Sequence, residues 1–243
     1  MTEDHFSGVV ADTYDATLGE LGTASAVEPV VGVLAGLAGD GAALELALGT
    51  GRIALPLQAR GVPVSGIELS EDMVARFRAK PGAEHIEVAV GDMADTTVAG
   101  GFSVVYLVFN TIMNLTTQEA QVACIANAAA HLDPGGHFVV EVIVPPLRRL
   151  PPGEQACVFD LSDAHVGVDD YDPVDQTARS HHFVREADGR YRRHTMPFRY
   201  VWPSELDLMA RMAGMHLVDR WADWTGTPFT ADSGAHVSVW RRA

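Results

Sequence analysis

The sequence predicts an α/β fold in which a mostly parallel sheet is flanked by helices. From about residue 25 to residue 142, short apolar segments alternate with helical stretches, a pattern typical of βαβ units with parallel strands. A glycine turn, Gly49-Thr50-Gly51, follows the first apolar segment. Residues 102–108 are apolar almost without interruption, as expected of a strand buried on both faces.

Residues 25–142 divide into alternating helices and strands. Ser25 suits the N-cap of the first helix, and Ser70 suits the N-cap of the third. Glu71 and Asp72 lie in the first turn of that third helix, where the helix dipole favours acidic groups. Asp133-Pro134-Gly135-Gly136 is predicted to be a turn. The helices are expected at 25–38, 53–60, 71–79 and 117–132, and the strands at 43–47, 64–68, 86–90, 102–108 and 137–143.

The pattern changes after the fifth strand, where several prolines interrupt residues 145–152. Alternating stretches at 156–161, 178–185 and 191–200 predict antiparallel strands inserted as a lid or wall. A helix at 203–213 and an antiparallel pair at 217–221 and 236–241 then close the sheet, for seven strands in all. We expect one domain over 1–243, with a cofactor-binding half at about 25–142, the insertion at about 145–201 and the closing elements at about 203–243.

Composition and charge exclude several classes of protein. Hydrophobic residues make up 47% and charged residues 20% of the 243 positions, which argues against disorder. A net charge of −15 disfavours nucleic acid as a partner. No apolar run approaches the roughly 20 residues that cross a bilayer, and the acidic start is unlike a signal peptide. We therefore expect a cytoplasmic protein with no membrane partner, in which Cys124 and Cys157 are reduced.

Three features fall at the carboxyl ends of consecutive predicted strands, where open α/β sheets bind ligands. Gly49 and Gly51 allow a tight turn in which a ligand lies against bare backbone. Glu68 ends the second strand, and a carboxylate there accepts hydrogen bonds from ribose hydroxyls. Asp92 and Met93 follow the third strand and offer an acceptor for an adenine amino group and an apolar wall. Each feature alone is weak, and the three together indicate a nucleoside site.

The order Glu45-Leu46-Ala47-Leu48-Gly49-Thr50-Gly51, then Glu68, then Gly91-Asp92-Met93 resembles class I (Rossmann-like) S-adenosylmethionine-dependent methyltransferases of small molecules. The resemblance implies S-adenosyl-L-methionine as cofactor and S-adenosyl-L-homocysteine as product. It assigns the glycine turn and Arg52 to the methionine part, Glu68 to the ribose, and Asp92 with Met93 to adenine. The full set of cofactor-binding residues that it implies is Tyr14, Glu45, Gly49, Thr50, Gly51, Arg52, Glu68, Leu69, Met73, Asp92, Met93 and Phe109.

The sequence departs from the family pattern within the first motif. Glu45 stands where Asp is commoner, and Ala47-Leu48 stand where the family more often has Gly-Cys or Gly-Ala. Tyr14 resembles an N-terminal tyrosine that closes over the cofactor, with a capping aromatic on the core as the alternative. Phe109-Asn110-Thr111 would pass beside the sulfonium.

Methyl transfer from a sulfonium is an in-line displacement that needs mainly alignment and exclusion of water. A general base helps a hydroxyl acceptor and is often dispensable for an amine. The catalytic group is therefore unknown, and His181 and His182 would point to opposite faces of a strand. The weak candidates for a base or a substrate contact are Glu141, His181, His182, His194 and Tyr200.

Two further groups of residues have competing interpretations. Trp221 and Trp224 are either an acceptor wall or ordinary packing. Asp169, Asp170 and Asp172 are either magnesium ligands or a solvated turn, and we favour the turn and expect no metal.

The expected reaction is methylation of an N or O atom of a small-molecule acceptor. The inserted segment and the size resemble members of the family that methylate secondary metabolites, such as amino sugars. The alternatives are an NAD-dependent oxidoreductase that uses the same glycine turn, and a non-catalytic binding protein with this fold. Against the oxidoreductase, no tyrosine is followed four residues later by lysine. The oligomeric state is open, with a homodimer as one alternative.

Overall fold

The computed structural model describes residues 4–243, with Arg149 described without its side chain. The helices are α1 (Val9–Thr17), α2 (Ala24–Ala38), α3 (Ala54–Ala59), α4 (Glu71–Arg78), α5 (Gln118–His131) and α6 (Pro203–Met212). The strands are β1 (Ala43–Leu46), β2 (Val64–Glu68), β3 (Glu87–Val90), β4 (Phe102–Leu107), β5 (Leu132–Ile143), β6 (Ala156–Leu161), β7 (His165–Asp172), β8 (Thr177–Arg185), β9 (Tyr191–Arg199), β10 (Met215–Trp221) and β11 (Ala235–Arg242).

A seven-stranded sheet has the order β10-β11-β5-β4-β1-β2-β3. Strands β1 to β5 pair in parallel, and β11 pairs antiparallel with both β5 and β10. The predicted α/β fold with a closing antiparallel pair is therefore confirmed. The chain leaves β1 for β2 on one side and later returns to β4 on the other, which creates a crevice at the carboxyl ends of β1 and β4.

Both faces of this sheet are covered, because neighbouring residues of each central strand enter different apolar clusters. Leu44 and Leu46 of β1 pack with α5 and α6, and Val105 and Leu107 of β4 join the same cluster. Ala43 of β1 packs instead with α2 and α3 on the opposite face. Continuous burial explains why β4 reads as an apolar run rather than an alternating one. None of the helices described over residues 4–243 is long and apolar enough to cross a membrane.

The insertion is a second, four-stranded antiparallel sheet in the order β6-β7-β8-β9. One of its faces carries Tyr171, Ala178 and Phe198, and these residues pack into the core cluster that contains α5 and α6. The three strands predicted from the sequence are confirmed as β6, β8 and β9. The second sheet therefore lies against the body of the protein as a wall.

A buried polar network holds the insertion in place. Arg199, at the end of β9, is buried and donates to Glu205 Oε1 in α6 at 2.8 Å and to Gln121 in α5. Gln121 in turn donates to the carbonyl oxygen of Ile112 at 3.2 Å, in the loop after β4. Burial by itself raises the pKa of Glu205, but hydrogen bonds from Gln176 and other donors, including Arg199, hold it below its ordinary value. The network joins the wall to the loop that follows β4.

The structure corrects four expectations. The predicted turn at Asp169, Asp170 and Asp172 is wrong, because all three lie in β7. Asp is disfavoured in strands, but here Asp170 ion-pairs with Arg179 and His181 of β8, and these tertiary contacts outweigh the local preference. Residues 133–136 belong to the first part of β5, with a register shift opposite Phe102 and Val104. The N-cap residue of α2 is Thr23, and Ser25, the predicted N-cap, lies inside the helix. The sequence also did not predict α1, which carries Tyr14.

Candidate cofactor and acceptor site

A cleft of about 670 Å³ opens at the carboxyl ends of β1, β2 and β3. Its lining includes residues that the sequence nominated for the cofactor, namely Tyr14, Gly49, Glu68, Leu69, Asp92 and Met93. The lining also contains residues that were not nominated, namely Asp4, His5, Phe6, Ala47, Gly91, Thr111 and Asn114. Features separated by more than 70 positions in the sequence thus converge on one concave surface.

Glu68 joins the glycine turn to the start of α4. Its Oε2 accepts a hydrogen bond from the backbone N–H of Gly49 at 2.7 Å, and its Oε1 accepts one from Ser70 at 2.8 Å. Burial raises the pKa of Glu68, while the two backbone donors act in the opposite direction. A carboxylate has about four acceptor positions, so roughly two remain for hydroxyl groups in the cleft.

The glycine turn has the backbone that a close ligand requires. Gly49 has φ 59° and Gly51 has φ 79°, in the left-handed region that favours glycine. A Cβ at Gly51 would lie 2.6 Å from Cδ2 of Phe77, whereas a Cβ at Gly49 would enter open space. Because Gly49 lines the cleft, that open space is the part of the cleft a ligand can occupy.

The departure from the family pattern at Ala47-Leu48 has a structural consequence. Ala47 adopts φ 56°, a conformation that residues with a Cβ rarely take. Leu48 is buried against Gly66 of β2, where a Cβ would come within 2.3 Å of the leucine side chain. The larger side chain at 48 is accommodated because the neighbouring strand has glycine there.

Glu45 lies beneath the turn and does not line the cleft among the described residues. Its Oε2 accepts a hydrogen bond from the hydroxyl of Tyr106 at 3.1 Å. Burial raises the pKa of Glu45 to about 8, against the opposing effect of Tyr106 and then of Arg52. The carboxyl group is therefore mostly protonated at neutral pH.

The loop after β3 is held from α5. Asp92 accepts a hydrogen bond from the backbone N–H of Ala94 at 2.9 Å. The side chain of Asn127, buried in α5, donates to the carbonyl oxygens of Met93 at 3.0 Å and Thr96 at 2.9 Å. Sequence reasoning missed Asn127, because nothing in its helical surroundings marks it as a loop anchor.

Helix α1 is bound to the glycine turn through Asp15. Asp15 accepts from the hydroxyl of Thr50 at 2.6 Å and ion-pairs with Lys80 at 2.7 Å. Lys80 also donates to the carbonyl oxygen of Thr50 at 2.8 Å. A second ion pair joins Asp12 of α1 to Arg76 of α4. Sequence reasoning missed this role of Lys80, the only lysine of the chain.

Tyr14 lies on α1 at the edge of the cleft, with its ring 6.2 Å from that of Phe6 in an edge-to-face arrangement. Burial raises the pKa of Tyr14, so its hydroxyl stays protonated and can donate.

The loop after β4 has a constrained backbone. Phe109 and Asn110 have φ 59° and 62°, two consecutive left-handed residues that are not glycine. The backbone N–H of Phe109 donates to Glu141 Oε2 at 2.9 Å, and Asn110 Oδ1 accepts from the N–H of Ile143 at 2.8 Å. The guanidinium of Arg52 lies 5.2 Å from the centre of the Phe109 ring. Glu141 thus supports this loop through a hydrogen bond.

Six of the nominated residues do not line the cleft among the described residues, namely Glu45, Thr50, Gly51, Arg52, Met73 and Phe109. Thr50, Gly51 and Met73 are buried, and the Thr50 hydroxyl points to Asp15 rather than to the cleft.

The nominated histidines divide between the two faces of the insertion sheet. His181 lies on the face away from the core, where its Nε2 and Asp170 Oδ2 are 2.6 Å apart. His182 and His194 are register partners on the core-facing side, and Nε2 of His194 is buried without a hydrogen-bond partner. Tyr200 is buried in a cluster of aromatic rings.

Trp221 and Trp224 pack against the apolar cluster on the α2 and α3 side of the main sheet. Neither tryptophan is among the described residues that line the cofactor cleft, so packing is favoured over a wall for the acceptor.

Comparison with known proteins identifies close relatives. Residues 43–136 match a family described as a methyltransferase domain. The CcbJ methyltransferase of Streptomyces caelestis, known from its structure, is 38% identical, with a TM-score of 0.85 and 96% of each chain covered. Cypemycin N-terminal methyltransferase of a Streptomyces species is 28% identical over 204 residues, 82% of each chain. The dTDP-3-amino-3,4,6-trideoxy-alpha-D-glucopyranose N,N-dimethyltransferase of Streptomyces venezuelae is 37% identical over 99 residues, 40% of each chain.

This chain belongs to the S-adenosylmethionine-dependent methyltransferases and has their class I fold. It is an enzyme, and its cofactor is S-adenosylmethionine. The alternatives of an NAD-dependent oxidoreductase and of a non-catalytic binding protein are excluded. The residues present fit the cofactor, since Gly49 leaves open space in the cleft and Glu68 keeps acceptor positions beside it.

Proposed function

We propose that this protein N-methylates a small, amine-bearing acceptor of secondary metabolism. The observation that carries the proposal is the single cleft in which Gly49, Glu68, Asp92 and Tyr14 meet at the carboxyl ends of the parallel strands. Of the relatives described above, one is by name an N-terminal methyltransferase, and another is by name an N,N-dimethyltransferase of an amino sugar. An amine acceptor also agrees with a site in which Glu141 already binds the Phe109 N–H.

In this proposal the chain mainly binds, orients and excludes water. The turn at Gly49 and Gly51 supports the methionine part, Glu68 accepts from the ribose hydroxyls, and Asp92 with Met93 receives the adenine. S-adenosylmethionine supplies a methyl group that is already activated by a positively charged sulfur. Tyr14 on α1 covers the cleft, since α1 is fastened to the glycine turn by Asp15.

The loop after β4 is proposed to set the direction of approach of the acceptor. Its left-handed residues, Phe109 and Asn110, are held by Glu141 and Ile143 at the end of β5. A rigid loop beside the reacting atoms limits the orientations open to the acceptor, and alignment alone supplies several kcal/mol in such displacements. A neutral amine has its own lone pair and needs no base to become nucleophilic, whereas a hydroxyl acceptor gains from one.

Calorimetric titration with S-adenosylmethionine and S-adenosylhomocysteine tests the assigned residues. We expect Glu68→Ala and Asp92→Ala each to weaken binding by roughly 10- to 100-fold, as for a lost charge-assisted hydrogen bond. Glu71→Ala and Asp95→Ala are the matched controls, because they remove exposed carboxylates from the same two segments. Wild-type affinity in Glu68→Ala and Asp92→Ala, with intact folding, would refute the assignment.

The acceptor class is tested with paired compounds in which the amine of one is replaced by a hydroxyl group or blocked by acetylation in the other. D-glucosamine is paired with D-glucose, and trialanine with N-acetyl-trialanine, and formation of S-adenosylhomocysteine is measured. We expect product only with the amine of a pair. Product with the hydroxyl compounds, or with none of a broad set of amines, would contradict N-methylation.

A further inference from the structure

A second cleft lies between the end of β5 and the insertion sheet. Its empty space, including the part open to solvent, is about 1150 Å³, and its lining includes Ile143, Val144, Cys157, Asp169 and Tyr171. Apolar side chains therefore form much of the surface around one carboxylate.

This second cleft begins beside the cofactor cleft. Ile143 lines it, and the N–H of Ile143 donates to Asn110 Oδ1 at 2.8 Å. The next residue along the chain from Asn110 is Thr111, which lines the cofactor cleft. The loop after β4 thus borders both clefts.

Only one of the two carboxylate oxygens of Asp169 has a hydrogen-bond partner within the described residues. Its Oδ2 accepts from the hydroxyl of Tyr171 at 3.0 Å, but its Oδ1 is buried and has no partner. A buried carboxylate oxygen without a donor is costly, and such groups are rare in folded proteins. A ligand with an N–H group that reaches Oδ1 would remove this cost.

The neighbours of Asp169 do not compensate its charge. Ser180, its register partner in β8, bonds to Nε2 of His182 at 3.1 Å, and Nδ1 of His182 lies 3.0 Å from Nε2 of His165. Burial lowers the pKa of His182, so its imidazole is neutral at neutral pH. Arg148, at the rim of the cleft, is 56% exposed and lies 3.8 Å from Asp232.

We propose that this second cleft binds the methyl acceptor and that Asp169 recognises a protonated amine of that acceptor. The inference rests on the proposed function, because it names the chemical class that the transferase takes. An ammonium group offers three N–H donors and a positive charge, which match an unpaired carboxylate oxygen in an apolar setting. Asp169 is a specificity-determining residue here: it recognises the charge of the acceptor on binding, and the reacting nitrogen releases its proton to solvent before its lone pair attacks the methyl group.

The thiol of Cys157 can report which charged molecules enter this cleft, because Cys157 of β6 is the register partner of Asp169 and lines the same space. The other thiol, Cys124, is fully buried. The probes are 2-aminoethyl methanethiosulfonate, a primary ammonium, and the anionic 2-sulfonatoethyl methanethiosulfonate. With either probe the Cys157 thiolate forms a disulfide and methanesulfinate leaves. The measured quantity is the ratio of the two rates, divided by the same ratio for free 2-mercaptoethanol.

We expect wild type to favour the cationic probe and Asp169→Asn to lower the normalised ratio by about 10-fold. Asparagine keeps the shape and an acceptor for Tyr171, so the fold should persist, as thermal melting will verify. Asp170→Asn is the matched control, because it removes the adjacent carboxylate on the opposite face of β7 and should leave the ratio unchanged. An equal ratio in wild type and Asp169→Asn would overturn the proposal.

A turnover measurement gives a second readout with the best amine acceptor from the paired compounds. Asp169→Asn should lower kcat/KM by roughly 10- to 100-fold while the Kd for S-adenosylmethionine stays unchanged. Unchanged kcat/KM would also overturn the proposal. If no amine is methylated, the proposed function fails, and the thiol ratio still decides whether the cleft selects ammonium groups.

Discussion

Replacement of Glu45 by Gln should make the protein more stable at alkaline pH than wild type. Glu45 is buried beneath the glycine turn, and burial raises its pKa from the ordinary 4.5 to about 8. A carboxyl group with a raised folded pKa holds a proton in the native state that the unfolded chain has already released. Stability is therefore fully present below the unfolded pKa and is lost as pH rises through the folded pKa.

The magnitude follows from the two pKa values. At about 1.36 kcal/mol for each pH unit, the interval from 4.5 to about 8 corresponds to at most about 5 kcal/mol. Between about pH 6 and about pH 8, this one group should remove about 2 kcal/mol from the free energy of unfolding. Gln resembles the protonated acid in shape and charge, and it can still accept from Tyr106, so the variant lacks this pH-dependent loss.

Urea unfolding of wild type and Glu45→Gln at about pH 6 and about pH 8 measures the effect. All other titrating groups are shared, so their contributions cancel in the difference between the two proteins. The difference should shift by about 2 kcal/mol in favour of the variant over this interval. Glu154→Gln, which alters an exposed carboxylate, should show no such shift. A constant difference for Glu45→Gln would refute the reasoning that Glu45 is buried and protonated.

Three further predictions concern residues that support the site and its surroundings. Gly51→Ala places a Cβ against Phe77 at a positive φ and should lower the free energy of unfolding by about 1–3 kcal/mol in urea titrations; wild-type stability would contradict it. Lys80→Met removes the ion pair that joins α1 to the glycine turn through Asp15. We expect it to weaken S-adenosylmethionine binding by about 2- to 5-fold in calorimetry and to leave the melting temperature unchanged. Arg199→Met leaves Glu205 without its buried partner and should cost about 3–5 kcal/mol of stability; a change under about 1 kcal/mol would show the network to be dispensable.

The parallel half of the fold could be predicted because its signals are local. Strands covered on both faces are apolar runs, and the helices between them carry caps such as Ser70, which accepts from the N–H of Met73 at 3.4 Å. The glycine turn and the acids at 68 and 92 stand at strand ends, and parallel strands bring such ends to one edge. Residue type and position along the chain were sufficient for these features.

Strand β7 and the supports of the cleft could not be predicted. Acidic residues are disfavoured in strands, and pairing with β6 and β8 on its two sides makes His165–Asp172 extended. Lys80 and Asn127 contact residues 30 or more positions away, through side chains that carry no pattern in the sequence. Their roles depend on which segments become neighbours after folding.

The sequence by itself determined the order of strands and helices over residues 25–142 and the residues at the carboxyl ends of β1, β2 and β3. Those properties follow from the periodicity of apolar residues and from the conformational freedom of glycine, both of which act over a few positions. The tertiary structure alone decided that Glu45 is buried with a raised pKa, that His182 rather than His181 lies on the core-facing side of the insertion sheet, and that Asp169 keeps an unpaired oxygen. The burial of a side chain and the identity of its hydrogen-bond partners depend on segments distant in the sequence, so both are established only when the chain has folded.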